Sequence, residues 1–126
     1  MKLVLSLIYS LVLIFNPVAE VPYASVESAF QSGDANRIIG YGKSKLLLNI
    51  QGNQSAYSPA QANQVLKDFF QKKPASSFKF TYKGVTEDGA TAIGTYNSKT
   101  ENFRVTVRWS KVGNDYFIES IAIEKS

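Results

Sequence analysis

The sequence predicts one α+β domain, with helices gathered before Pro74 and packed into a curved antiparallel sheet built mainly from the rest of the chain. Three observations carry that reading. Apolar residues recur at helical spacing before Pro74, and they alternate with polar residues from Phe78 onward. Two tight-turn dipeptides, Asp88-Gly89 and Gly113-Asn114, separate the alternating runs. With 126 residues, 44% hydrophobic and 19% charged, the chain has the size and composition of one globular core.

Taken in order, Ser25 is the expected N-cap of a first helix whose Val26, Ala29 and Phe30 cover one face, and Gly33 ends it. Asp34 then caps a short helix from Ala35 to about Tyr41 that turns Ile38 and Ile39 inward. Lys45–Ile50 reads as a mostly buried strand. Ser58-Pro59-Ala60-Gln61 supplies a capping serine, proline at the first helical position and glutamine at the third. The helix it opens runs to about Lys72, burying Ala62, Val65, Leu66, Phe69 and Phe70. Lys72 and Lys73 suit its negative end, and Pro74 closes it.

Four alternating strands follow. The first sets Phe78, Phe80 and Tyr82 against Lys79, Thr81 and Lys83. Asp88-Gly89 turns the chain into Ala90–Asn97. The next sets Phe103, Val105, Val107 and Trp109 against Arg104, Thr106, Arg108 and Ser110, and Gly113-Asn114 leads into Tyr116–Glu124. A meander with one charged face needs helices only on the other, so the expected object is a bent sheet around the helices, a cone with a mouth.

Composition removes several function classes. The chain has no cysteine and no histidine, which excludes disulfides, thiolate metal sites, most zinc chemistry and every His-dependent relay. No metal and no cofactor are expected. The net charge of +4 is spread along the chain without a dense basic run, so nucleic acid is not an expected partner. Met1-Lys2 followed by the apolar run Leu3–Phe15 matches a secretory leader and falls short of the roughly 20 residues that span a bilayer. The expected division is a leader over residues 1–19, cut as late as 24, then a single domain over 20–126. Export to the periplasm or beyond follows, with no stable membrane span once the leader is removed.

The phrases Ala29-Phe30-Gln31-Ser32-Gly33-Asp34-Ala35 and Tyr57-Ser58-Pro59-Ala60-Gln61-Ala62, with Asp68-Phe69-Phe70 and the Phe103-Arg104-Val105 to Tyr116-Phe117-Ile118 hairpin, resemble the bacterial exported proteins grouped as domain of unknown function 4783. The resemblance covers residues 24 to 124 and implies the nuclear transport factor 2-like (cystatin-like) cone. That superfamily includes isomerases, dehydratases, transport adaptors and many exported domains of unassigned role, so the fold does not choose a function.

Four candidate features follow. An aromatic cone, lined by Phe30, Phe69, Phe78, Phe80, Tyr82, Phe103, Val107 and Trp109, is either a pocket for a small apolar ligand or a filled core. Acid–base catalysis of the isomerase or dehydratase kind would need a carboxylate in the cone, for which Glu119 and Asp34 are the candidates. Glu119 depends on register: a two-residue Gly113-Asn114 turn pairs Arg108 with Glu119 outside and Trp109 with Ile118 inside, whereas a bulged turn would flip the last strand and bring Glu119 in. The first register leaves Phe117, Ile121 and Ile123 on the outer sheet face, a surface for a homodimer or an exported protein partner. A basic stripe of Lys79, Lys83, Arg104 and Arg108 is either a solvated face or a contact for an anionic glycan or lipid headgroup. The favoured reading is a non-enzymatic exported binding or interaction module.

Overall fold

The structure, a computed structural model, describes residues 20–126; the leader reading falls on residues outside them. The chain begins with α1 (Tyr23–Ser32) and α2 (Ala35–Gly40), then the hairpin β1 (Gly42–Ile50) and β2 (Asn53–Tyr57). Helix α3 (Pro59–Lys72) follows, and β3 (Ala75–Val85), β4 (Gly89–Ser98), β5 (Asn102–Val112) and β6 (Asp115–Lys125) complete one six-stranded sheet in the order β2-β1-β6-β5-β4-β3. The expected meander is β3 to β6. Strand β1 joins it in parallel with β6, across the chain reversal that α3 makes possible.

Local signals explain most boundaries. The Ser58 side chain accepts from the Gln61 N–H while the Gln61 side chain accepts from the Ser58 N–H, a complete capping box. Asp34 accepts from the Arg37 N–H at the start of α2, and Gly33 ends α1 in the left-handed conformation at φ 66°. Helix α1, however, starts earlier than Ser25. Pro22 is its N-cap, with no side-chain hydrogen bond. Proline lacks the N–H that a helix start leaves unpaired, and the Tyr23 ring packs edge-on against Phe80 and Trp109, drawing the first turn into the core. Strand β2 has no counterpart among the expected elements. Its five residues are polar or small and mostly exposed, so no alternation marks it, and it exists because Gln51 and Gly52, both at positive φ, turn it onto β1.

Two register steps decide which side chains meet the helices. The β5–β6 turn is the expected two-residue one, since Val112 pairs with Asp115 and Trp109 with Ile118. The next pair is Arg108 with Ser120, so Glu119 is an extra residue. Every side chain beyond it changes face. Ile121 and Ile123 therefore lie in the core at 1% and 0% exposure, opposite Val107 and Val105, rather than on the outer face. Glu119 stays exposed, without its expected Arg108 partner.

The second step lies in β3, where Phe80 pairs with Gly94 and Tyr82 with Ile93, leaving Thr81 over. Tyr82 consequently points away from the cone and is 54% exposed. Lys83 takes the inner row beside Ala92, its ammonium 5.2 Å from the centre of the Tyr23 ring. The basic stripe is thus divided: Lys83 leaves it, and Arg104 is bonded to Glu124 at 2.8 Å.

At Gly94 the sheet admits no side chain. A Cβ there would lie 2.5 Å from the Phe78 ring and 2.9 Å from the Lys79 carbonyl oxygen. Gly94→Ala is expected to destabilise the fold by about 1–3 kcal/mol, since backbone on one side and a packed ring on the other must shift; urea unfolding with an unchanged m-value checks this.

Candidate functional site

The cone interior is built from aromatic side chains that hold one another in place. Phe30 of α1 stacks on Phe78 with centroids 4.8 Å apart, and Phe69 of α3 meets Phe103 edge-on at 5.2 Å. Tyr96 lies between them, in ring contact with Phe69, Phe70, Phe78 and Phe103. Phe30, Tyr96, Phe103 and Val107 have 0% of their surface accessible, and Trp109 and Phe78 have 2%. A void large enough for water would expose its lining, so none abuts Phe30, Tyr96, Phe103 or Val107. Of the eight residues expected to line a pocket, seven belong to this packed core, Phe69 among them also meeting an open cleft at its edge, and Tyr82 lies on the opposite face.

Polar atoms inside are few. The Tyr96 hydroxyl donates to the Lys73 carbonyl at the end of α3, and burial pushes the Tyr96 phenol up to about 12. Tyr23 is also raised, chiefly by burial and then by Tyr116 and Tyr82. The Tyr23 hydroxyl and the Trp109 indole N–H are buried without a hydrogen-bond partner in the structure. The candidate carboxylates are elsewhere. Asp34 is exposed and occupied as a helix cap, and Glu119 faces solvent at the bulge. Neither of the two candidate bases therefore lies among the aromatic side chains of the cone. Among the described residues, no cluster of carboxylates could hold a metal ion and no helix is long and apolar enough to cross a membrane.

Three adjoining clefts lie around the corner where α3 passes into β3, and a separate one of about 290 Å³ lies at the start of α1, between Tyr23, Val85 and Tyr116. A cleft of about 320 Å³ between the β1–β2 turn and α3 has Ile50, Tyr57, Val65 and Phe69 on its floor and Gln51 and Asn53 on its rim. It shares Lys72 and Lys73 with a second cleft of about 300 Å³, bounded by Ser76, Lys99 and Thr100. That one shares Pro74 and Ala75 with a third, of about 280 Å³, which runs to Gln31, Lys67 and Gln71. Charge along this track is partly neutralised. Lys72 pairs with Asp68 and Lys73 with Glu101, both at 2.9 Å, and the Lys73 hydrogen bond holds the Glu101 carboxyl below the usual range. Lys67 and Lys99 make no ion pair among the described residues. None of the rim residues stands out in the sequence as a binding residue: Lys72 and Lys73 read only as helix-end charges, and Gln51 and Asn53 belong to a hairpin without an alternating pattern. Of the outer-face set, Phe117 alone remains outside, half-buried beside Ser110.

Three helices held in the curve of one sheet define the nuclear transport factor 2-like fold. An NTF2-like protein of unknown function from Silicibacter pomeroyi is similar in fold alone, with a TM-score of 0.61 at 12% identity over 82% of this chain and 88% of that one. The family described as domain of unknown function (DUF4783) matches residues 23–124, and the chain belongs to it. A DUF4783 family protein from Bacteroides ovatus is 32% identical, with a TM-score of 0.80 over 85% of this chain and 96% of that one. Another, from Bacteroides uniformis, is 29% identical with a TM-score of 0.79 over 85% and 98%. No curated protein matches the chain.

Tyr96 offers a direct test of the closed interior. A phenol whose folded pKa lies near 12 against about 10 when unfolded binds its proton more tightly in the fold, so its contribution is complete below pH 10 and lost as pH rises toward 12. Tyr96→Phe is expected to cost about 1–2 kcal/mol at pH 7, because the Lys73 carbonyl loses its donor. It should also remove the latest step from an ultraviolet titration of the tyrosines.

Proposed function

We propose that this chain is an exported, non-enzymatic binding module that engages its ligand on the track of clefts around the α3–β3 corner, outside the cone. The observation that carries this reading is the contrast between a cone whose central aromatic side chains are buried against one another and three clefts joined through shared residues. Continuity favours an extended ligand over a compact one. Amide and hydroxyl side chains on the rim, with Tyr57 at one end, suit a ligand rich in hydroxyl groups. The two unpaired lysines, Lys67 and Lys99, favour a ligand carrying scattered negative charge. An acidic polysaccharide combines these properties, and its many weak contacts need no deep pocket.

Non-catalytic action is supported by the placement of Glu119 and Asp34 away from the aromatic core. Export is supported by the apolar run Leu3–Phe15. Removal of the leader after Ala19 keeps Tyr23 in its place against Phe80 and Trp109, whereas a cut after Ala24 would delete it. The intact mass of the protein from its own host should therefore correspond to a chain that starts at Glu20.

Calorimetry with polygalacturonate as the probe tests the binding reading. Lys67→Ala/Lys99→Ala is expected to weaken binding by about tenfold and to flatten its dependence on salt, while Glu119→Gln leaves it unchanged. Equal affinity for poly-glutamate would move the assignment to an acidic protein partner, and no binding to either would refute the track as an anion-binding surface.

A further inference from the structure

Strand β3 lies at one end of the sheet, and an edge strand carries backbone groups that can pair with another chain. One regular stretch, Ser77–Phe80, runs between two irregularities in the β3–β4 ladder. Within that stretch the Phe78 carbonyl and the Phe80 N–H are turned away from β4, and both are taken by side chains of α1. Gln31 donates to the Phe78 carbonyl at 2.9 Å, and a Glu27 carboxylate oxygen accepts from the Phe80 N–H at 2.9 Å. The spacings match for a simple reason: four residues along a helix advance about 6 Å, and two residues along a strand advance about 6.6 Å. A helical pair at i and i+4 can therefore meet two successive edge-facing residues of a strand.

We infer that Glu27 and Gln31 act as a surrogate strand, closing the β3 edge against pairing with a second copy of this chain. The edge is self-complementary. Two β3 strands aligned antiparallel about Lys79 would place Phe78 of one opposite Phe80 of the other, so that the groups now held by α1 would bond each other. Lys79 is a second guard, because that alignment sets two ammonium groups side by side on the sheet face. The opposite edge, β2, is short, with five mostly exposed residues.

A Lys79→Thr background removes the charge guard and leaves the cover intact, so by itself it should sediment like the unaltered protein. Adding Glu27→Ala and Gln31→Ala is expected to raise the self-association constant by about tenfold or more in sedimentation velocity. The Phe80 amide should then become protected from exchange as concentration rises. The inference is overturned if the triple variant keeps its circular dichroism and sediments like Lys79→Thr alone. It is equally overturned if the triple variant associates while Phe80 exchange stays independent of concentration. Should the triple variant fail to fold, Gln31→Glu on the same background decides. It keeps the side-chain length but sets a carboxylate against the Phe78 carbonyl, so association is expected and its absence refutes the inference.

Discussion

A single residue beyond the count of the β5–β6 ladder, Glu119, determines what the rest of the molecule can be. Its insertion lets β6 present Ile118, Ile121 and Ile123 to the same interior, although strict alternation would divide them between two faces. Those three residues link the meander to β1. Ile121 and Ile123 pair beside Leu48 and Ile50, and the Ile118 N–H bonds the Tyr41 carbonyl at 2.9 Å. Without the step, β6 beyond Ile118 would face the helices with Ser120, Ala122 and Glu124, and the parallel β1–β6 join would lose the isoleucines of its buried seam. Thr81 plays the matching part at the other side of the sheet, where the extra residue ends a straight edge and bends β3 over α1.

The bends have a functional consequence. Curvature brings α1 and α3 close enough for Phe30, Phe69, Phe70 and Tyr96 to interlock, and that contact fills the space in which a cone of this fold could hold a ligand. Tight aromatic packing and an enclosed pocket are alternatives for the same volume, and here packing occupies it. Three joined clefts lie at the rim, where α3 ends and the chain turns into β3. There the Tyr96 hydroxyl ties the Lys73 carbonyl to the sheet, and Lys73 reaches across to Glu101. The same contacts that anchor the end of α3 thus fix two of the walls of the clefts.

Much of the fold was legible because local signals agreed with the packing. The capping box at Ser58, the Asp34 cap, Gly33 and the Gly113-Asn114 turn each answer to chemistry within four residues, and each appears where expected. The first hairpin turns instead on Glu87-Asp88, one residue before the expected Asp88-Gly89, because Gly89 already belongs to β4, where it accepts from the Thr86 N–H and pairs with Ser110. The start of α1 did not, because the Tyr23 ring contacts Phe80 and Trp109, far along the chain, outweigh a local serine cap. Strand β2 did not either, since its only reason to be extended is its ladder to β1.

By itself the sequence determined the class of fold, the order of its main elements, the inward faces of α1, α3 and β5, and the absence of cysteine and histidine chemistry. These depend on composition and on periodicity within one element, which neighbouring residues impose on each other. Only the tertiary structure decided that Ile121 and Ile123 are core, that Tyr82 is not, that the aromatic cone is packed, and that the open clefts ring the end of α3. An alternating pattern states that a strand has two faces but not where a ladder inserts a residue. That position is set by the curvature the sheet needs to close over the helices, a property of all six strands together and of no single one.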